Sequence, residues 1–368
     1  MNAAPPPRLK INPPLLNSAN PWCTTLSDLR ALHASPYTGA ITTRTSLISG
    51  FAHDSSKHQY TFFSPSSSTP SSVPASSSHR TRPENLPSSD VGSLNNLGYS
   101  PFPLDTYLDF ISQLPTTKIE GHKHRKLIII SVTGSPAEIA ECYHRIADFA
   151  PTTRHPLAME INLSCPNIAS AAPPASDRTQ LLSYLAALPA TPAFPVGLKT
   201  PPYTHPAHYR ELIAALRQDA TVITKSSMLK VPSKISFITA VNTLGSCLLL
   251  DDEGEGEDGG PAPRLPGSGL GGMAGAPLHP LALGNVKTIA ELVSRDPELL
   301  HIRVIGVGGV SDAAGFRRMK SVGAYAVGVG TALDREGVEV FEKIASVEKT
   351  GTTQTTTSRQ NDDRGQGP

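Results

Sequence analysis

Within the six residues Asn162-Leu-Ser-Cys-Pro-Asn167 the chain sets a thiol between two carboxamides. A cysteine can take up a proton once it is a thiolate. A carboxamide donates and accepts at once, so a set of them suits a polar planar ring. The run follows the apolar stretch Leu157-Ala-Met-Glu-Ile161, which reads as a buried strand. Thiol and amides therefore fall where a strand gives way to a loop, the place where barrel proteins carry their chemistry.

Other strand ends carry complementary groups. Lys199 closes Pro195-Val-Gly-Leu-Lys199, and a lysine at a strand's C-terminal end could stabilise a developing anion, against the plainer alternative of a solvated strand end. Asn242 in Ala240-Val-Asn-Thr-Leu-Gly245 and Asn95 in Val91-Gly-Ser-Leu-Asn95 are each compatible with a simple turn. Together with Asn162 and Asn167 they suit a ring of amides. Two glycine-rich turns, Val304-Ile-Gly-Val-Gly-Gly309 and Val327-Gly-Val-Gly-Thr331, each follow a strand. Such turns let backbone N–H groups approach a phosphate closely, and a phosphate site after the last two strands recurs in barrels. Neither turn has the G-x-G-x-x-G order of a dinucleotide site at an early βαβ unit. Gly269-Leu-Gly-Gly-Met-Ala-Gly275 reads by itself as linker, and His53 and His58 as loop residues without metal spacing.

Elements that position these groups alternate along the chain. Strands are predicted at Gly39–Thr43, Leu127–Val132, Leu157–Leu163, Val196–Lys199, Ser236–Val241, Ile302–Val307 and Tyr325–Val329. Helices are predicted at Pro136–Phe149, Thr179–Leu188, Pro206–Arg217, Leu281–Val293, Asp312–Val322 and Val338–Val347, the first with Ser135 as N-cap. The alternation implies an α/β fold with a parallel sheet under helices. An eight-stranded barrel needs one more strand, expected near Val91–Leu94; a doubly wound open sheet fits the periodicity equally. Ser64 to Ser89 and Thr350 to Pro368 are low in large apolar residues and are expected to be disordered, and Asp251 to Gly267 to be a long loop. The barrel is expected over residues 8–348, with an insert at 64–89 and a disordered tail at 349–368.

Composition narrows the function classes. The 368 residues are 38% hydrophobic and 17% charged with net charge +1, which supplies no field for nucleic acid or an anionic membrane. The longest apolar run suits a strand, and the first residues lack a signal-peptide core, so the chain reads as soluble and cytosolic. Cys23, Cys142, Cys165 and Cys247 form no C-x-x-C pair, which argues against a zinc site or a disulfide framework.

These motifs coincide with a family. The chain resembles dihydroorotate dehydrogenase, in particular the soluble class that uses fumarate. The resemblance runs from about Ile11 to Ile344 through Asn17-Ser-Ala-Asn20, Gly39-Ala40, Thr43-Arg-Thr45, Gly92-Ser-Leu-Asn95, Asn162-Leu-Ser-Cys-Pro-Asn167, Gly197-Leu-Lys-Thr-Pro-Pro202, Val241-Asn242, Gly271-Gly272 and both glycine turns. It implies an FMN-binding (β/α)8 TIM barrel, commonly a homodimer. By it, Cys165 takes the proton from C5 of dihydroorotate and a hydride passes from C6 to N5 of the flavin. Asn95, Asn162, Asn167 and Asn242 would hold the pyrimidine, with Arg44, Leu97 and Thr243 also at the substrate. Lys199 would favour the reduced flavin. Ser18, Ala19, Thr45, Gly271 and Gly272 would touch the cofactor, and Gly308, Gly309, Gly330 and Thr331 its phosphate. Fumarate follows as acceptor from the class resembled.

The chain departs from the family's pattern at several points. Arg44 stands where the family has a lysine touching flavin and substrate, and a guanidinium fork directs its hydrogen bonds differently. Ile168-Ala-Ser-Ala-Ala-Pro-Pro-Ala175 and Tyr99-Ser-Pro101 replace the usual loops, Thr224 to Lys234 is extra, and the low-complexity tail replaces a helical extension. Two further readings stay open: a related FMN oxidoreductase acting on another pyrimidine or enone, and a non-catalytic flavin-binding protein. An RNA-modifying relative lacks support, because no basic stripe is visible.

Overall fold

Leu127-Ile-Ile-Ile-Ser-Val132 is buried at every position, as a parallel strand covered on both faces should be. In the computed structural model, which describes residues 5–71, 86–117, 124–164, 173–223, 228–252 and 259–346, this segment is one of eight parallel strands in a ring. The strands are β1 (Leu15–Asn17), β2 (Ala40–Thr42), β3 (Leu127–Val132), β4 (Leu157–Asn162), β5 (Val196–Thr200), β6 (Phe237–Ala240), β7 (Arg303–Val307) and β8 (Ala326–Val329). Neighbours in sequence are neighbours in space, and β8 returns to pair with β1 in parallel. This is the (β/α)8 barrel, not the open sheet.

The seam between β1 and β2 is closed differently. Gly39 N–H donates to Leu15 O at 2.9 Å. Beyond it the Asn17 side chain replaces a backbone partner: its Nδ2 donates to Thr42 O at 2.7 Å and its Oδ1 accepts from Thr42 N–H at 2.9 Å. A Cβ on Gly39 would lie 2.3 Å from Pro13 O, so the close approach here requires glycine.

The eighth strand is therefore not where it was expected. Gly92–Asn95 is a strand, but it lies in a second, five-stranded antiparallel sheet, in the order Leu244–Cys247, Gly271–Gly275, Gly92–Asn95, Tyr60–Ser64, Thr69–Pro70. The missing barrel strand is β1, three residues long. The same sheet corrects the expected extent of disorder, because the Ser/Pro-rich stretch begins inside a hairpin, Ser64 facing Thr69. Residues 86–89 of that stretch are described as well, while 72–85 and the tail from 347 lie outside the described residues. The expected long loop holds a short antiparallel pair, Leu250–Asp251 with Ala262–Pro263, and Thr221–Ile223 pairs with Met228–Lys230 in the extra segment before β6.

The six predicted helices occur, the first with the expected ends at Pro136–Phe149 and the others with shifted ends, at Arg178–Ala186, Pro206–Asp219, His279–Ser294, Ala313–Ser321 and Val340–Ala345. At the first, Ser135 Oγ accepts from Glu138 N–H at 3.3 Å and Glu138 Oε2 accepts from Ser135 N–H at 2.8 Å, a reciprocal cap. The helices pack their apolar faces on the outside of the ring. No helix of the described residues is long and apolar enough to cross a membrane.

Candidate active site

Period-two alternation takes each strand from an apolar floor to a polar rim. Leu16, Ala40, Ile129, Ala158, Phe237, Ile305 and Ala326 pack together inside the ring, with Leu9 and Ile11 in the same cluster. Two or four residues further along the same faces stand Ser18, Arg44, Asn162, Val241, Val307, Gly309 and Gly330, and these line a cavity at the strands' C-terminal ends. The cavity opens to solvent, and the space within its lining, the open mouth included, is about 980 Å³. The five-stranded sheet contributes Ser93, Asn95, Ala274 and Gly275 to its wall.

A chain of hydrogen bonds sets the amides. Glu160, buried one step below the rim, accepts from Ser131 Oγ at 2.9 Å and from Thr239 Oγ1 at 2.6 Å. Because Ser131 spends its hydrogen on Glu160, it must accept from Thr45 Oγ1, 2.9 Å away. Thr45 in turn accepts from Asn162 Nδ2 at 3.1 Å. The Asn162 Oδ1 is thereby turned towards Ser164, accepting from its Oγ at 2.6 Å and its N–H at 3.3 Å. Ser164 Oγ accepts from Asn242 Nδ2 at 2.7 Å, and Asn242 Oδ1 accepts from Thr243 N–H at 2.8 Å. Asn95 Nδ2 donates to Gly272 O at 3.3 Å across the upper sheet.

Two buried cations face this amide set. Lys199 Nζ donates to Ala19 O at 3.4 Å. Arg44 reaches Thr24 Oγ1 and Gly98 O, each at 3.4 Å, and burial holds its guanidinium below its usual range. Burial pushes the Cys23 and Cys142 thiols up to about 12 and raises that of Cys247, so these three are poor bases near neutrality.

Of the residues singled out in the sequence, Ser18, Ala19, Arg44, Thr45, Asn95, Leu97, Asn162, Lys199, Asn242, Thr243, Gly308, Gly309, Gly330 and Thr331 line this one cavity. Gly271 and Gly272 do not. They lie within the upper sheet, where a Cβ on Gly272 would press on Thr243 Oγ1, and that strand reaches the cavity through Ala274 and Gly275 instead. Cys165 and Asn167 fall outside the described residues.

A sequence model of dihydroorotate dehydrogenase matches residues 81–348. The chain belongs to the dihydroorotate dehydrogenase family. Among relatives in it, the dihydroorotate dehydrogenase (fumarate) of Trypanosoma cruzi is 28% identical over 333 residues, covering 90% of this chain and 87% of the relative. That of Trypanosoma brucei brucei is 31% identical over 257 residues, covering 69% and 71%. A dihydroorotate dehydrogenase from Eimeria tenella, solved with ferulenol, superposes with a TM-score of 0.62 over 92% of this chain and 82% of its own, at 13% identity, a likeness of fold.

Sequence reasoning passed over several groups at the site. Ser164 lay inside the most informative motif but joins the two asparagines only through the fold. Glu160 sat in a run read as apolar strand, and alternation with Asn162 was the available signal. Asp334, one turn into the short helix Thr331–Glu336, lines the cavity with Oδ1 buried and unpartnered, and burial raises its carboxyl well above the usual range.

Proposed function

We propose that this protein oxidises dihydroorotate to orotate with bound FMN, and that fumarate reoxidises the cofactor. The observation that carries the reading is the convergence of Asn95, Asn162, Asn242, Lys199 and Arg44 with both glycine turns on one cavity, in a chain of this family. Phosphorylated flavin fits the groups present. The turns after β7 and β8 bring backbone without side chains to the cavity at Gly308, Gly309 and Gly330, where N–H groups can approach an anion closely. Thr331 adds a hydroxyl, 3.0 Å from Ser93 Oγ.

When bound, the flavin supplies the acceptor for the hydride. The chain's own residues supply orientation, charge and the base. The ordered amides of Asn162 and Asn242 present fixed donors and acceptors to a pyrimidine, with little reorganisation on binding. The cations of Arg44 and Lys199 complement the substrate carboxylate and negative charge on a reduced ring. We assign proton removal at C5 to Cys165, the thiol of the Asn162-Leu-Ser-Cys-Pro-Asn167 motif by which the chain resembles the family. Asn167 joins the pyrimidine contacts in this reading.

The test is anaerobic mixing of the purified protein with dihydroorotate while following the visible absorbance of oxidised flavin. Bleaching, and recovery on adding fumarate, is expected. Retained flavin that dihydroorotate does not bleach would favour a different pyrimidine or enone substrate. Arg44, tied to Gly98 O in the altered loop after Asn95, would be the first residue to examine for that change.

A further inference from the structure

The turn after β7 is held from behind by groups that do not reach the cavity. Gly308 and Gly309 both have positive φ, 138° and 67°. His279, at the start of the helix His279–Ser294, places Nδ1 2.7 Å from Gly308 O. Its other nitrogen, Nε2, lies 3.1 Å from Nε of Arg318, on the helix Ala313–Ser321. A guanidinium only donates, so Nε2 must present its lone pair. The ring hydrogen therefore sits on Nδ1 and is donated to Gly308 O. Arg318 thus selects the tautomer that grips the turn.

The grip fixes a direction. In a trans peptide the C=O of one residue and the N–H of the next point opposite ways. With Gly308 O drawn towards His279, the Gly309 N–H points away from it, and both glycines line the cavity. The Gly309 backbone is also pressed onto the segment that carries His279, with a hypothetical Cβ 2.7 Å from His279 Cβ and 3.2 Å from Ala276 Cα.

We infer that His279, locked in one tautomer by Arg318, is a positioning residue that aims the Gly309 amide at the cofactor's phosphate. This rests on the proposed reading of the glycine turns as the phosphate site. Neither side chain touches the reacting atoms, and their effect falls on which flavin is held.

The experiment is equilibrium exchange on folded holoenzyme dialysed against an equimolar mixture of FMN and riboflavin, with the bound ratio read by chromatography. The parent protein should retain FMN in large excess. His279→Leu, which can neither donate nor accept, should lower the FMN-to-riboflavin ratio by about 10-fold, the order of one lost hydrogen bond to a charged group. His279→Gln can donate to Gly308 O and accept from Arg318, and should restore the ratio. Arg318→Gln, at an exposed position, should lower it in part, and it supplies the test should His279→Leu not fold. A parent protein indifferent between the two flavins would overturn the phosphate reading itself. A parent that prefers FMN, with variants that keep the full preference or lose both flavins equally, would overturn the positioning role alone.

Discussion

Asn162→Ala removes the residue on which the amide network turns, and its cost can be built up bond by bond. The Asn162 side chain takes two hydrogen bonds from Ser164 and a longer one, 3.4 Å, from Asn242 Nδ2, and gives one to Thr45 Oγ1. Thr45 Oγ1 keeps Ser131 after truncation, and Ser164 Oγ keeps Asn242. Ser164 N–H has no second acceptor among the described residues, so a buried donor is stranded, at about 1–3 kcal/mol. The Thr45 and Ser164 hydroxyl bonds add about 1 kcal/mol each. The expected loss is about 3–5 kcal/mol, read as a shift of the urea midpoint at unchanged slope. Orotate binding should weaken in parallel, because Asn242 loses part of what orients it. A midpoint that moves by less than about 0.5 kcal/mol equivalent, with orotate affinity intact, would refute the claim that this network is built and held by Asn162.

Other perturbations probe the site from different sides. Burial raises the Asp334 carboxyl well above the usual carboxylate range, so above that range the folded chain binds more protons than the unfolded one. Stability of the flavin-free protein should therefore fall as pH rises from that range through the raised folded value. Asp334→Asn should flatten that slope and melt higher than the parent at alkaline pH, and identical thermal profiles would argue against a buried protonated carboxyl. Arg44→Ala should weaken orotate by about 10- to 100-fold, the order of a lost charged hydrogen bond, while flavin stays bound. Unchanged titration by orotate would remove Arg44 from the substrate contacts. Gly309→Ala combines a positive φ with a clash against Gly275 O, and should yield protein that elutes without flavin.

The barrel was largely legible where strands are long and apolar. Leu127–Val132 announces itself by composition, and Pro136–Phe149 by its cap. Leu15–Asn17 was not legible, because it is three residues long, follows two prolines that give no ladder donors, and pairs with a strand more than three hundred residues away. Gly92–Asn95 was recognisable as extended, but local pattern does not name a strand's partner, so it was given to the wrong sheet. At the site, residue types at strand ends were readable because alternation puts them on one face. The groups behind them were not. Ser164, Glu160 and His279 act through partners set by tertiary packing, and Gly269–Gly275 read by itself as linker because glycines that permit close strand packing leave no side-chain alternation to mark a strand.

The seam between β1 and β2 ties the cavity to the integrity of the ring. Ser18 and Ala19 leave one side of it, Arg44 and Thr45 the other, and all four line the cavity. The join itself is carried by one carboxamide and the Gly39 N–H to Leu15 O bond, with Arg44 N–H to Cys23 O above the strands, instead of a full ladder. Any molecule that touches both lips acts as a clasp across the weakest circumference of the barrel. Occupancy and closure are then two faces of one equilibrium: the ring is harder to open by RT ln(1 + [L]/Kd), and a ring already sprung open offers the ligand only half a socket.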